Sequence, residues 1–272
     1  MNIDFFIEPF QYGFMTRALV GTTLVSLLSA IIGSFLVLKG LAFIGDAIAH
    51  TSFAGIAIAL LLGLNLYLGA IILAIFTAVG VTFLNRTSKV RNDTALAILF
   101  TGAFALGVIL LSAMPNFAGD LSSLLLGSVL AIRPQEVYLI GGTVLFVGLI
   151  VSITFEHLVF SVFDPTGAEA AGLPVTWLDL LLMILTAVSI VVAIQAVGMI
   201  LVVALMITPA ATASLFTKKL SHMMILAGIL GLFASFIGII ISFHFAAPPG
   251  ATVVLVATIQ FAIGLAISKM RR

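Results

Sequence analysis

Long apolar stretches separated by short polar breaks make up most of this chain. A helix needs about 20 consecutive apolar residues to cross the hydrocarbon core of a bilayer. Nine stretches meet or approach that length, and they predict transmembrane helices at 14–38, 41–62, 66–84, 94–114, 136–155, 176–196, 197–216, 223–243 and 251–268. The sixth and seventh stretches have almost no loop between them, so a model with eight spans is the alternative. A further segment, 120–132, is too short to cross and predicts a partial helix at one membrane face.

The composition is that of an integral membrane protein. The chain has 272 residues, of which 62% are hydrophobic and 8% are charged. A soluble domain of this size with this balance would have almost no charge on its surface. Uncharged stretches of helix length indicate membrane helices rather than a β-barrel. We therefore predict an all-α, polytopic membrane protein in which residues 1–272 form a single transmembrane domain.

Charge and cysteine content exclude several function classes. The net charge is +1, and the chain has no basic tract of the kind that binds nucleic acid. It has no cysteine, which excludes disulfides, iron–sulfur clusters and thiolate metal sites within this chain. No lysine follows a glycine, so the Gly-Lys-Ser/Thr phosphate-binding loop is missing. The chain therefore cannot hydrolyse ATP by that route, and we expect neither enzymatic activity nor a tightly bound cofactor.

The basic residues predict the orientation of the chain in the membrane. If all nine spans cross, nine of the 11 lysines and arginines fall on one side: Lys39, Arg86, Lys89, Arg91, Lys218, Lys219, Lys269, Arg271 and Arg272. Cytoplasmic loops carry an excess of lysine and arginine, so this side is the cytoplasm. The C-terminus is then cytoplasmic and the N-terminus lies outside, with only Arg17 and Arg133 on the outer side. A model with eight spans has to move one of these groups.

The second predicted span carries an acid and a histidine, Asp46 and His50. The two residues are four positions apart, so on a helix they lie on one face. A carboxylate and an imidazole suit a divalent cation of the manganese, iron or zinc type. Ionisable residues inside a span are costly and therefore mark candidate functional sites. The alternative is that Asp46 caps a helix that begins here and that His50 hydrogen-bonds to a neighbouring helix.

The longest predicted cytoplasmic loop, 160–174, contains a short helix. Asp164 suits the N-cap of this helix, a proline follows at its first position, and Gly172 lies at its end. Ala168, Ala171 and Gly172 would then form a surface of small side chains. Such a surface suits docking to another protein, and an ordinary connecting loop is the alternative.

Four stretches, taken together and in order, resemble the permease subunit of the manganese/zinc/iron ABC importers, which works with a cluster-type metal-binding lipoprotein. They read Gly-Asp-Ala-Ile-Ala-His at 45–50, Asn-Asp-Thr-Ala-Leu-Ala-Ile-Leu-Phe at 92–100, Phe-Asp to Ala-Gly at 163–172, and Val-Gly-Met to Thr-Pro-Ala-Ala-Thr at 197–212. The resemblance extends over most of the chain. It implies a type II ABC importer permease, with the fold of the vitamin B12 importer lacking its first helix. That fold agrees with nine spans and an N-terminus outside.

The resemblance also implies a function and partners. Asp46 and His50 would coordinate the metal, with one such pair from each of two copies of the chain. Residues 160–174 would hold the coupling helix, whose Asp164, Ala168, Ala171 and Gly172 contact a separate ATPase subunit. An extracytoplasmic metal-binding protein would deliver the ion to this permease in a bacterial cell (inner) membrane. The ion is a transported substrate, with Mn²⁺ as the first choice and Zn²⁺ or Fe²⁺ close behind.

Three other functions compete with this interpretation. A permease for a chelated metal would share the fold and carry a bulkier substrate. An ion-coupled secondary metal transporter would need no ATPase, and it would use further buried acids, whereas nearly all the acids of this chain lie at span ends. A membrane-embedded metalloprotease would carry a motif such as H-E-x-x-H, which the sequence does not contain.

Overall fold

The structure, a computed structural model, describes residues 4–87, 92–112 and 129–270. Within these residues the chain forms helices and connecting turns, and none of them is in a β-strand. Short 3₁₀ turns occur at Glu8–Gln11 and Val129–Ala131. The α-helices are α1 (Asp4–Ile7), α2 (Gly13–Leu38), α3 (Ile44–Leu62), α4 (Leu66–Thr87), α5 (Asn92–Ser112), α6 (Pro134–Phe163), α7 (Pro165–Ala170), α8 (Val175–Val197), α9 (Met199–Ser214), α10 (Leu220–Phe245) and α11 (Pro249–Met270).

A helix occupies each of the nine predicted span positions, which confirms the predicted all-α class. Seven of these helices, α2, α3, α4, α6, α8, α10 and α11, are long and apolar enough to cross a membrane. The other two, α5 and α9, contribute shorter apolar helices, Leu96–Ser112 and Met199–Ser214. At a rise of about 1.5 Å per residue, the 16 residues of α9 extend about 24 Å, less than the hydrocarbon thickness of about 30 Å.

The boundary between the sixth and seventh predicted spans lies at Gly198. This residue has a φ of 86°, in a region that a side chain with a Cβ rarely enters. It separates α8 from α9, while its backbone N–H still donates to the carbonyl of Ile194 over 2.8 Å. The chain therefore continues from one helix into the next through a single residue rather than a loop.

Helix α6 is longer than the predicted span at 136–155. It runs to Phe163, because the polar pair Glu156 and His157 does not interrupt a helical backbone. The helix ends at Phe163 because Pro165 follows, and helical geometry is disfavoured for the residue before a proline, here Asp164. The prediction located the apolar part of the helix but not its polar extension.

Several sequence predictions concern residues outside the part of the chain that the structure describes. The partial helix predicted at 120–132 lies there, apart from the turn at Val129–Ala131. Four of the basic residues used for the orientation also lie there, namely Lys89, Arg91, Arg271 and Arg272. The predictions for these residues stay predictions.

The chain divides into two compact units. The first unit consists of residues 1–37, 121–149 and 193–272. In it α2 packs on α10 through small polar residues, because Ser26 Oγ donates to the carbonyl of Gly231 over 3.2 Å and lies 2.9 Å from Ser235 Oγ. Gly33 in α2 lies so close to α9 that a Cβ there would be 1.8 Å from the carbonyl oxygen of Met206. Small residues thus allow the close helix approach that is common in membranes.

The second unit consists of residues 38–120 and 150–192. Its central helix is α3, which packs against α4 and α5, and 72% of the residues in its apolar span are buried. Gly55 on α3 meets Gly69 on α4, and a Cβ at Gly55 would be 2.2 Å from the carbonyl oxygen of Gly69. A Cβ at Gly107 on α5 would come within 3.0 Å of the backbone of Ala54. Helix α3, which carries the predicted metal ligands, is therefore fixed on two sides by close backbone contacts.

Candidate metal site

The predicted site begins at the first turn of α3. A left-handed residue, Gly40 with a φ of 67°, follows α2 and reverses the chain before α3 starts at Ile44. Phe43 occupies the N-cap, and no side chain caps this end of the helix. Asp46 lies in the first turn, where the positive end of the helix dipole favours a carboxylate. The alternative interpretation, in which Asp46 caps α3, is therefore wrong.

Asp46 and His50 lie together on one face of α3, as their spacing predicts. His50 Nδ1 is 2.9 Å from the backbone carbonyl oxygen of Asp46 and 3.4 Å from Asp46 Oδ1. The Asp46 side chain is 44% exposed and that of His50 is 18% exposed. The pair is thus accessible from one side and supported by the protein on the other.

The bond to the backbone determines which ring nitrogen of His50 is available. A carbonyl oxygen can only accept a hydrogen bond, so Nδ1 must carry the proton and donate it. In the neutral ring this leaves the lone pair on Nε2 for a metal ion. Metal-binding histidines typically donate their other N–H to a carbonyl or a carboxylate in this way. The local backbone of α3 therefore prepares His50 as a nitrogen ligand.

The carboxylate of Asp46 has a different position relative to the ring. Its Oδ1 faces Nδ1, the protonated nitrogen, rather than Nε2. In this arrangement Asp46 orients the imidazole and provides negative charge beside it. Joint ligation of one ion by both residues would require the carboxylate to turn toward the Nε2 side.

Two phenylalanines of α5 hold the His50 ring edge-on. The ring centroids of His50 and Phe100 are 4.4 Å apart at 81°, and those of His50 and Phe104 are 5.3 Å apart at 76°. Edge-to-face geometry is a favoured arrangement for aromatic rings. Helix α5 therefore limits the rotation of the imidazole, and the sequence stretch 92–100 ends at one of the two residues that do so.

A hollow of about 350 Å³ opens beside Asp46. It is lined by Phe43, Asp46, Ala47, Leu96, Ala97 and Phe100. Liquid water occupies about 30 Å³ per molecule, so this volume accommodates a small ion with several of its waters. Asp46 is the one acid among apolar lining residues, so the hollow concentrates negative charge at one point.

The described residues contain no cluster of three or more His, Cys, Asp or Glu side chains that would form a closed metal cage. Asp46 and His50 provide one nitrogen and one carboxylate. A transition-metal ion takes four or more ligands. Water or a group from outside this set therefore has to supply the rest.

The predicted docking loop contains the expected short helix, α7. Gly167 N–H donates to Asp164 Oδ1 over 2.9 Å, which confirms Asp164 as the N-cap. Gly172 follows the helix with a φ of 82°, as an end residue should. Ala171 and Gly172 are exposed.

Ala168 does not belong to an exposed surface with Ala171 and Gly172. It is fully buried, with 0% of its surface exposed, so this part of the prediction is wrong. The prediction placed all three small residues on one outward-facing surface at the end of the helix. In the structure α7 ends at Ala170, and the chain turns away at the next residue.

One ion pair in the second unit was not anticipated from the sequence. Lys39 Nζ lies 2.5 Å from Asp179 Oδ1, although the two residues are 140 positions apart. In the sequence, Lys39 is informative only about the orientation of the chain in the membrane. The sequence feature that could have indicated this pair is Asp179, a single acid near the start of the apolar stretch that forms α8.

Comparison with known proteins agrees with this architecture. The chain is 44% identical over 253 residues to the manganese transport system membrane protein MntC of Listeria innocua, covering 93% of this chain and 90% of the relative. It is 36% identical over 271 residues to the chelated iron transport system membrane protein YfeD of Yersinia pestis, covering 97% and 90%.

The fold matches a chain in the structure of PsaBC from Streptococcus pneumoniae in complex with a Fab. The TM-score is 0.86 at 34% sequence identity, covering 97% of this chain and 95% of that one. The match confirms the predicted fold class, a polytopic type II ABC permease. A family model described as the ABC 3 transport family matches residues 11–268. This chain therefore belongs to the ABC 3 transport family.

Proposed function

We propose that this chain is the permease subunit of an ATP-driven importer of a divalent transition-metal ion, with Mn²⁺ as its principal substrate. The observation that carries the proposal is the His50 ring, which donates through Nδ1 to its own helix, leaves Nε2 available for an ion and has the Asp46 carboxylate beside its Nδ1. The name of the Listeria relative supports manganese as the substrate.

The ion passes through this site as a transient ligand complex. His50 Nε2 supplies one bond, and Asp46 supplies charge beside it and a second bond when its carboxylate turns. Waters and the same pair from a second copy of the chain complete the coordination. A transport site has to bind weakly enough to release its ion. Two protein ligands per copy meet this requirement better than a closed four-ligand cage.

A chelated metal is the second candidate substrate, because the Yersinia relative is named for chelated iron. The hollow beside Asp46 has a volume of about 350 Å³ in a single chain, which is near the lower limit for small-molecule pockets. A bare or hydrated ion therefore fits this site better than a large chelate.

The test is transport by the complete complex in proteoliposomes. The permease, its ATPase subunit and its binding protein are reconstituted, and metal content in the lumen is measured after ATP is added. We expect ATP-dependent accumulation of Mn²⁺ that exceeds that of Zn²⁺ or Fe²⁺. Accumulation without ATP would favour an ion-coupled carrier. Uptake of a chelate in preference to the free ion would favour the second candidate.

The proposed partners are a separate ATPase subunit, an extracytoplasmic metal-binding protein and a second copy of this chain. Within residues 160–174, α7 supplies the ATPase contact as a coupling helix. The support is the capped, compact helix with Ala171 and Gly172 exposed at its end. Asp164 maintains the helix through its cap, and the buried Ala168 anchors it to the permease.

We predict that Ala171→Trp uncouples the ATPase from transport. The indole would occupy the surface that the ATPase has to approach, while the exposed position leaves the permease fold unaffected. The measurements are co-purification of the ATPase and metal uptake, and the control is Ala171→Ser. Normal uptake and normal ATPase binding by the tryptophan variant would remove α7 from the docking surface.

The proposed location is a bacterial cell membrane, with the C-terminus in the cytoplasm and the N-terminus outside. The support is the distribution of lysine and arginine among the loops. Lys218 and Lys219 lie between α9 and α10 on the proposed cytoplasmic side, and the turn that follows Phe245 lies on the outer side.

We predict that a cysteine at Ala247 reacts with an impermeant thiol reagent in intact cells, whereas one at Ser221 does not. Ala247 lies in the turn between α10 and α11, and Ser221 is exposed at the opposite end of α10. The natural chain has no cysteine, so the background is clean. Permeabilised cells, in which both positions should react, are the control. The reverse labelling pattern would overturn the orientation.

A further inference from the structure

We propose that the Lys39–Asp179 ion pair transmits movement of α7 to the turn that carries the metal site. This inference rests on the proposed function, because it requires α7 to contact an ATPase and Asp46 to face the ion. Lys39 Nζ and Asp179 Oδ1 are 2.5 Å apart, and the two side chains are only 15% and 25% exposed. Both residues belong to the second compact unit.

Asp179 is connected to α7 by a short, hydrogen-bonded stretch of backbone. The N–H of Leu173 donates to the carbonyl of Ala168 over 3.0 Å, which folds the chain back onto α7. The N–H of Leu178 donates to the carbonyl of Pro174 over 3.1 Å, which begins α8. Asp179 is the next residue. Because the carbonyl of the buried Ala168 and the first turn of α8 are linked in this way, a displacement of α7 displaces the carboxylate of Asp179.

Lys39 is connected to the metal site by a similarly compact turn. It is the first residue after α2, and α3 begins five residues later. Within this turn the N–H of Ile44 donates to the carbonyl of Leu41 over 3.1 Å. Phe43 in the turn and Asp46 in the first helical turn both line the hollow. A displacement of Lys39 therefore moves Phe43 and Asp46, which line the hollow.

The ion pair is suited to keep the start of α8 and the turn before α3 in contact when α7 moves. An exposed salt bridge contributes little, because water screens the two charges and competes for both. A pair that is largely removed from water interacts more strongly, and the loss of one partner leaves an uncompensated charge. Coupling between distant sites can be carried by a chain of packed side chains, hydrogen bonds and salt bridges that connects them. The path α7–Asp179–Lys39–Asp46 is such a connection within one unit.

The test measures Mn²⁺ transported per ATP hydrolysed in the reconstituted complex. Lys39→Met and Asp179→Asn each remove one charge of the pair. We expect both variants to assemble and to hydrolyse ATP at near the wild-type rate, while Mn²⁺ transported per ATP falls roughly tenfold, within the 5–150-fold range of typical allosteric couplings. A purely structural pair would lower the amount of complex and leave the transport ratio of the remaining complex unchanged, which would overturn the proposal.

Two further variants serve as controls. Lys218→Met makes the same substitution at an exposed lysine and should leave the ratio unchanged. The charge exchange Lys39→Asp with Asp179→Lys should restore the ratio, because the attraction is re-formed with its signs reversed. If the single variants fail to assemble, the charge-exchange variant tests the proposal instead. Recovery of both assembly and Mn²⁺ transported per ATP supports the proposal. Recovery of assembly alone overturns it. A wild-type complex that moves no Mn²⁺ refutes the proposed function instead.

Discussion

Metal uptake should fall to background when His50 is replaced by alanine. The substitution removes the imidazole, whose Nε2 is the nitrogen that the proposed site offers to the ion. It leaves the α3 backbone intact, because the lost hydrogen bond to the Asp46 carbonyl was made by the side chain. The measurement is accumulation of Mn²⁺ at limiting and at saturating concentration, with the amount of inserted permease determined in parallel.

Asp46→Asn should give a graded defect rather than a complete loss. The amide retains the size of the side chain but removes the charge next to His50 Nδ1. Loss of an orienting partner of a metal-binding histidine typically costs 10–100-fold in metal affinity. We therefore expect an apparent KM for Mn²⁺ that is about 10–100-fold higher, with partial recovery of uptake at high Mn²⁺. Because the two residues act as a unit, the double variant should be no worse than His50→Ala alone.

Ser52→Ala is the matched control for both substitutions. Ser52 lies on the same helix, and its hydroxyl donates to the carbonyl of Ile48 over 2.6 Å within that helix. The control removes a polar group from α3 without altering the candidate ligands, so uptake should remain normal. Unimpaired uptake by Asp46→Asn at limiting Mn²⁺ would remove this residue from the mechanism, and equal loss in Ser52→Ala would indicate general damage to α3.

The second large effect is expected at Gly55, where α3 crosses α4. A Cβ there would lie 2.2 Å from the carbonyl oxygen of Gly69, which is backbone and cannot rotate away. Gly55→Ala therefore has to separate the two helices, and overpacking of this kind costs about 1–3 kcal/mol. For a chain of this size, each 1 kcal/mol corresponds to a shift of Tm of about 2–4 °C. We expect a lower Tm in detergent and less folded permease in the membrane.

Gly80→Ala is the matched control for this prediction. A Cβ at Gly80, on α4, meets nothing within 4 Å. Alanine is favoured over glycine in a helix by about 0.5–1 kcal/mol, so this variant should be neutral or slightly more stable. The two identical substitutions should thus shift Tm in opposite directions or by clearly different amounts. Equal shifts would mean that the crossing at Gly55 tolerates a side chain.

The sequence predicts the helices well for a simple physical reason. Exposing polar groups to lipid costs free energy, so membrane-spanning segments are apolar helices. Such segments are recognisable from a single sequence as long apolar stretches. Asp46 and His50 are likewise conspicuous, because any ionisable residue stands out in an apolar stretch. The helix cap at Asp164 depends on neighbouring residues only, and it too is predicted correctly.

Features that depend on contacts between distant parts of the chain are not predictable in the same way. Lys39 gives no indication from sequence that its partner is Asp179, since their contact results from the packing of separate helices. The burial of Ala168 depends on which side of α7 packs against the rest of the chain, which the spacing of small residues does not reveal. The side of the ring that faces Asp46 is set by the rotamer of His50. The sequence supplies the ligand types, whereas their roles depend on three-dimensional geometry.

The close packing of α3 has a consequence for how substrate preference can evolve. This helix is buried by α4 and α5 over most of its length, so most substitutions on it disturb packing before they alter ion binding. Two other residues that line the hollow, Phe43 in the turn before α3 and Ala97 on α5, are exposed in the single chain. Substitutions at these two positions can therefore change the lining of the hollow with less disturbance to the packing of α3. If the proposed function holds, ion selectivity can change through these positions while Asp46 and His50 stay the same.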